Sequence, residues 1–186
     1  MKKPFRYLIV ICILAGSTMV AHSGYFYARG ILAQFLLEQT WEKSKREKKF
    51  IKPWSWADTI PVAKLKIKSI GLSKVVMNNA DKISLALGPA HIPETARPGS
   101  EGNIAIAGHR DTFFKNLGLL NRGEVIELES MGAVQYFIVT NIHITHPEDT
   151  RWIENTIDDT ITLITCYPFK YVGPAPKRYV VRGERL

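Results

Sequence analysis

From Pro61 onward the chain never holds a helical period for long. Its apolar residues fall in short runs separated by turn-forming Gly, Pro, Asn and Asp. Val62-Ala63-Lys64-Leu65-Lys66-Ile67 alternates apolar and basic residues, as a strand with one face in water does. Residues 74–77, 82–86, 103–107, 125–128, 133–144, 160–166 and 178–182 read as further strands, and 112–120 as one or two helical turns. There is no strand–helix–strand rhythm. The pattern predicts a mainly β fold, a closed or nearly closed barrel with short helices.

The first sixty residues are of another kind. An apolar run from Tyr7 to Ala21 follows Lys2, Lys3 and Arg6 and continues through His22-Ser23-Gly24-Tyr25-Phe26-Tyr27. A signal peptide and an uncleaved anchor both fit its start. Its full reach of roughly 20 residues matches one bilayer crossing, and its aromatic end suits the interface, which favours the anchor. The N-terminal cations point that end inward, while a second basic cluster at 43–52 argues weakly the other way. Ile31, Leu32, Phe35 and Leu36 recur at helical spacing, so residues 28–48 are expected as an amphipathic stalk. Pro53, Trp54 and Trp56 mark a linker. The expected organisation is 1–27 membrane anchor, 28–60 stalk and linker, and 61–186 β-barrel.

The net charge of +8 follows this division. Residues 1–52 hold ten Lys/Arg against three Glu, or +7, and residues 53–186 hold fifteen against fourteen acids, or +1. A nearly neutral barrel argues against a nucleic acid as partner, and the basic excess beside an apolar segment suits lipid headgroups.

Thr160-Ile161-Thr162-Leu163-Ile164-Thr165-Cys166 is rich in β-branched residues, and Pro168 ends the strand because it lacks an N–H. A thiol therefore stands at a strand end, where loops meet and a substrate can reach it. Cys12, the only other cysteine, lies in the apolar run and cannot pair with it if that run is in a bilayer. A cysteine attacking an amide needs an acid for the leaving amine and a donor for the developing oxyanion. His109 follows Gly108 at the end of another strand. Arg178 and Arg182 share one face of the last strand. If that strand runs antiparallel to the cysteine strand, Arg178 lies nearest Cys166 and Arg182 about 13 Å further along. His143 and His146 have only Glu148 and Asp149 as partners at a ligand-like spacing, too small a set, so no metal is expected.

Thr162-Leu163-Ile164-Thr165-Cys166 resembles the T-L-x-T-C signature of sortases, the membrane-anchored cysteine transpeptidases. Gly108-His109-Arg110 resembles their histidine segment and Arg178-Tyr179-Val180-Val181-Arg182-Gly183 their arginine strand, in the same order along the chain. Lys52-Pro53-Trp54-Ser55-Trp56-Ala57-Asp58, Gly108-His109-Arg110-Asp111-Thr112 and Cys166-Tyr167-Pro168-Phe169 further resemble the branch found in Gram-negative proteobacteria. The resemblance implies a closed eight-stranded barrel. It implies Cys166 as nucleophile on an LPXTG-like sorting signal, His109 as general acid and base, and Arg178 as oxyanion or peptide stabiliser. It implies a thioacyl enzyme released by an amine acceptor, no cofactor, and a single-pass protein of the bacterial inner membrane with its barrel on the periplasmic side. Thr165 is expected to assist near the oxyanion or simply to supply strand propensity. Trp152 and Ile153, in the 145–159 connection, are expected to line the signal-binding groove. Asp111 reads as a helix cap or a partner of His109, and Arg110 as structural. A cysteine hydrolase on the same scaffold and a non-catalytic peptide-binding β-domain are the alternatives.

Overall fold

The computed structural model describes residues 3–186. Lys2, part of the basic N-terminus, lies outside them. Two compact units divide between Leu36 and Leu37.

Helix α1 is continuous over Lys3–Glu47. The stalk expected at 28–48 is thus the continuation of the apolar run rather than a separate helix. Gly24 and Gly30 do not interrupt it, since a helix tolerates a glycine at a cost of about 1 kcal/mol. By length and composition this helix is able to cross a membrane.

In the second unit, eight strands close into a barrel: β1 (Pro61–Ile67), β2 (Leu72–Met77), β3 (Ala90–His91), β4 (Asn103–Ala107), β5 (Val125–Ser130), β6 (Val134–Thr145), β7 (Thr160–Tyr167) and β8 (Lys177–Arg185). Their order around the barrel is β1-β2-β3-β4-β7-β8-β6-β5. Alternation decides which side chains fill it. Ala63, Leu65 and Ile67 of β1 point inward and are fully buried, while Lys64 and Lys66 point out to Glu38 and to Glu127 and Glu129. Ile104, Ile106, Ile126, Leu128, Phe137, Ile161, Leu163 and Val181 complete the interior.

Residues 82–86, expected as a strand, form the short helix α2 (Lys82–Leu87). The Asp81 carboxylate accepts the Ser84 N–H at 2.8 Å and caps it, and this side-chain hydrogen bond outweighs the alternating Ile83-Ser84-Leu85 pattern. Outside the barrel, α2 contributes Leu85 and Leu87 to a second apolar layer. There Leu37 and Trp41, from the C-terminal turns of α1, pack with Val75, Met77 and Ala90. Lys45 reinforces this layer by an ion pair of 2.6 Å to Glu129.

Candidate active site

Parallel pairing brings β4 beside β7, with Ala107 opposite Ile164 as the last pair. Each strand then carries a reactive side chain two residues on, His109 after Ala107 and Cys166 after Ile164. Antiparallel pairing brings β8 along the other side of β7, with Cys166 opposite Arg178. The three residues named from sequence therefore leave three adjacent strands, β4, β7 and β8, at one end of the barrel. Arg182 lies opposite Thr162, four residues back from Cys166 along β7.

Two contacts fix the turn that carries His109. The Gly108 N–H donates to the Ile164 carbonyl at 3.0 Å, and the Thr165 hydroxyl donates to the Gly108 carbonyl at 2.6 Å. Thr165 is only 2% exposed, so its hydroxyl serves as a tether between β7 and the histidine turn. Gly108 has no room for a side chain, because a Cβ there would stand 2.7 Å from the buried Phe114 ring. His109 itself is exposed, and its imidazole makes no hydrogen bond among the described residues.

Cys166 and Arg178 are half-buried, and the thiol is free. Nη1 of Arg178 donates to the Lys177 and Ala175 carbonyls at 3.2 and 3.5 Å, and this leaves its other N–H groups available. After β7 the chain turns through a cis Tyr167–Pro168 bond. Behind it Phe169 packs edge-on against Tyr179 with centroids 5.1 Å apart.

Arg110 is 7% exposed and takes the structural part expected of it. It donates to the carbonyls of Pro168 (2.9 Å), Tyr171 (2.7 Å) and Gly173 (3.3 Å), and so ties the β7–β8 loop to the histidine turn. Asp111 caps no helix. Residues 110–116 form turns, and a single 3-10 turn follows at Leu117–Leu119. The Asp111 carboxylate accepts a hydrogen bond from Arg110 instead, at 3.3 Å.

Trp152 and Ile153 are half-buried in the β6–β7 connection. The Trp152 ring lies 4.7 Å from that of His143 and 5.1 Å from the Arg182 guanidinium carbon, and its indole N–H donates to Asp149. The Arg151 guanidinium and the Thr145 hydroxyl hold the Asp149 carboxyl far below the usual carboxylate range. Burial pulls the Arg182 guanidinium below its ordinary value. Asn103, which no motif singled out, lies fully buried beneath this connection and bonds to it. The one signal for it was a polar residue opening the apolar run Asn103-Ile104-Ala105-Ile106-Ala107.

The Sortase domain family model matches residues 65–186. The chain belongs to the sortase family. This sortase is 36% identical to Sortase D of Bacillus subtilis (strain 168) over 124 residues, 66% of this chain and 62% of the relative. It is 30% identical to Sortase A of Bacillus anthracis over 127 residues, 66% of this chain and 59% of the relative. It therefore spans about three fifths of the length of these curated relatives. Among solved structures, sortase C-1 of Actinomyces oris is 32% identical with a TM-score of 0.62, over 68% of this sortase and 74% of that chain. A Clostridium perfringens sortase D5 transpeptidase superposes with a TM-score of 0.64 at 24% identity, over 78% of this sortase and 88% of that chain, a likeness of fold. These relatives come from Gram-positive bacteria and lend no support to the proteobacterial branch suggested by the sequence motifs.

Proposed function

We propose that this sortase is a membrane-anchored cysteine transpeptidase acting on an LPXTG-like sorting signal. The supporting observation is the register: Cys166 opposite Arg178, with His109 two residues beyond the end of the neighbouring parallel strand β4. The Cys166 thiolate attacks the carbonyl carbon of the scissile amide, and the oxyanion that develops takes hydrogen bonds from Arg178. Protonated His109 gives its proton to the amide nitrogen, the C–N bond breaks, and a thioacyl enzyme and a free amine remain. An acceptor amine then attacks the thioester carbonyl. His109 takes its proton, the C–S bond breaks, and a new amide leaves with the thiolate restored. No step requires a cofactor. The domain plan follows the same reading: 1–27 as a single-pass anchor, 28–60 as stalk and linker, and 61–186 as catalytic barrel on the extracytoplasmic side of the inner membrane. Trp152 and Ile153 line one side of the groove. The proteobacterial branch rests on the quoted motifs alone.

Mass spectrometry of the full chain in detergent micelles, given an LPXTG-type peptide and oligoglycine, tests the reaction. The expected product is a peptide–glycine conjugate, absent with Cys166→Ala. Free acid alone from the wild-type chain points to the hydrolase, and an intact peptide beside an alkylatable thiol points to a binding domain.

A further inference from the structure

The β6–β7 connection, residues 146–159, carries little regular structure, yet its middle is held by side chains that belong to the barrel wall. Asn103 is the centre of this arrangement. Its side-chain amide donates to two carbonyls of the connection, Trp152 and Glu154, each at 2.9 Å. Its side-chain oxygen accepts from the hydroxyls of Thr160 at 3.2 Å and Thr162 at 2.7 Å, both on β7. All four hydrogen-bonding positions of the carboxamide are thus used, and the residue is fully buried. Arg182 repeats the grip from β8. One end of its guanidinium donates to the Trp152 carbonyl at 3.0 Å and Nε to the Thr162 hydroxyl at 3.3 Å, with the guanidinium over the Trp152 ring.

We propose that Asn103, with Arg182 as second anchor, is the positioning residue that fixes the Trp152 wall of the signal-binding groove before a peptide arrives. The inference rests on the transpeptidase reading above. A wall already ordered has no rotamer or backbone freedom left to lose on binding, so its benefit falls on peptide affinity. It also gives Arg178 and Arg182 of β8 separate duties. Arg178, opposite the thiol, serves the chemical step, and Arg182, four residues back, serves the groove wall.

Two variants test this. Asn103→Asp keeps the shape of the side chain but replaces two donors with an acceptor facing the Trp152 and Glu154 carbonyls. Arg182→Met keeps the stem and loses the guanidinium, at a half-buried position where folding tolerates the change better. Amide hydrogen exchange of the full chain in micelles is the first readout. Exchange in residues 150–156 is expected to rise about tenfold or more in both variants, with β4, β7 and β8 unchanged. Kinetics with the LPXTG-type peptide is the second. KM is expected to rise roughly tenfold with kcat within about twofold, while alkylation of Cys166 by iodoacetamide keeps its wild-type rate. Unchanged exchange in 150–156 overturns the proposal, as does a fall in kcat at constant KM. If the wild-type chain transfers no peptide, the transpeptidase reading fails by itself, and the exchange data still decide whether the clamp exists.

Discussion

Arg178 faces Cys166 across the β7–β8 ladder, so the loss of its guanidinium should fall on the step in which negative charge develops. Arg178→Ala is expected to lower the single-turnover acylation rate by about 100- to 1000-fold, the usual effect of deleting an oxyanion donor, with KM little changed. His91 governs a different property. It is buried on β3, opposite Ile106 of β4, and its Nε2 donates to the Ala96 carbonyl at 2.9 Å. Burial disfavours the imidazolium and holds its value in the folded chain below the ordinary 6.5. A depressed value means that stability is fully present above 6.5 and is lost as the pH falls towards the folded value, because the unfolded chain binds the proton first. Chemical denaturation at about pH 7 and about pH 5 should therefore show a stability loss in the wild-type chain that is smaller in His91→Gln. The meeting of Cys166, His109 and Arg178 at one end of the barrel was legible because each sits where a strand pattern breaks. The contacts of the buried Arg110 and Asn103 were not. Arg110 meets three backbone carbonyls and Asn103 two, and a carbonyl carries no residue identity for a sequence pattern to register.

Strand β1 was readable because alternation is enforced by a packed interior on one side and water on the other. Helix α1 was readable only in part. Its apolar run and its basic C-terminal turns differ in composition, which suggested two elements, whereas the backbone hydrogen-bond ladder needs no change of composition to continue. The functional consequence is that Leu37 and Trp41 belong to the folding unit of the barrel. Trp41→Ala should destabilise that unit by about 3–5 kcal/mol, measured by thermal or urea unfolding. A shortened chain beginning at Pro53 should lose more, since Leu37 and the Lys45–Glu129 pair go as well. Preparations meant for assay should keep α1 from before Leu37.

At the scale of the whole molecule, the charge of +7 over residues 1–52 against +1 over residues 53–186 carries a prediction about where each part resides. The full chain should co-float with lipid vesicles, and a chain starting at Ile31 should stay with the soluble fraction; equal flotation of both would remove the case for an anchor. Seven of the eight strands were legible; β3, with only two residues, was not, and 82–86 read as a strand in its place, while the order stayed hidden because β8 crosses over to lie between β7 and β6. That crossover has a consequence in time. As the chain is made, His109 precedes Arg178 by 69 residues (178 − 109) and Cys166 by twelve (178 − 166), and until β8 takes its place both β6 and β7 keep an open edge. One insertion then closes the barrel, covers both edges and delivers the arginine to the thiol. On the transpeptidase reading proposed above, closure of the fold and competence of the thiol then become a single event.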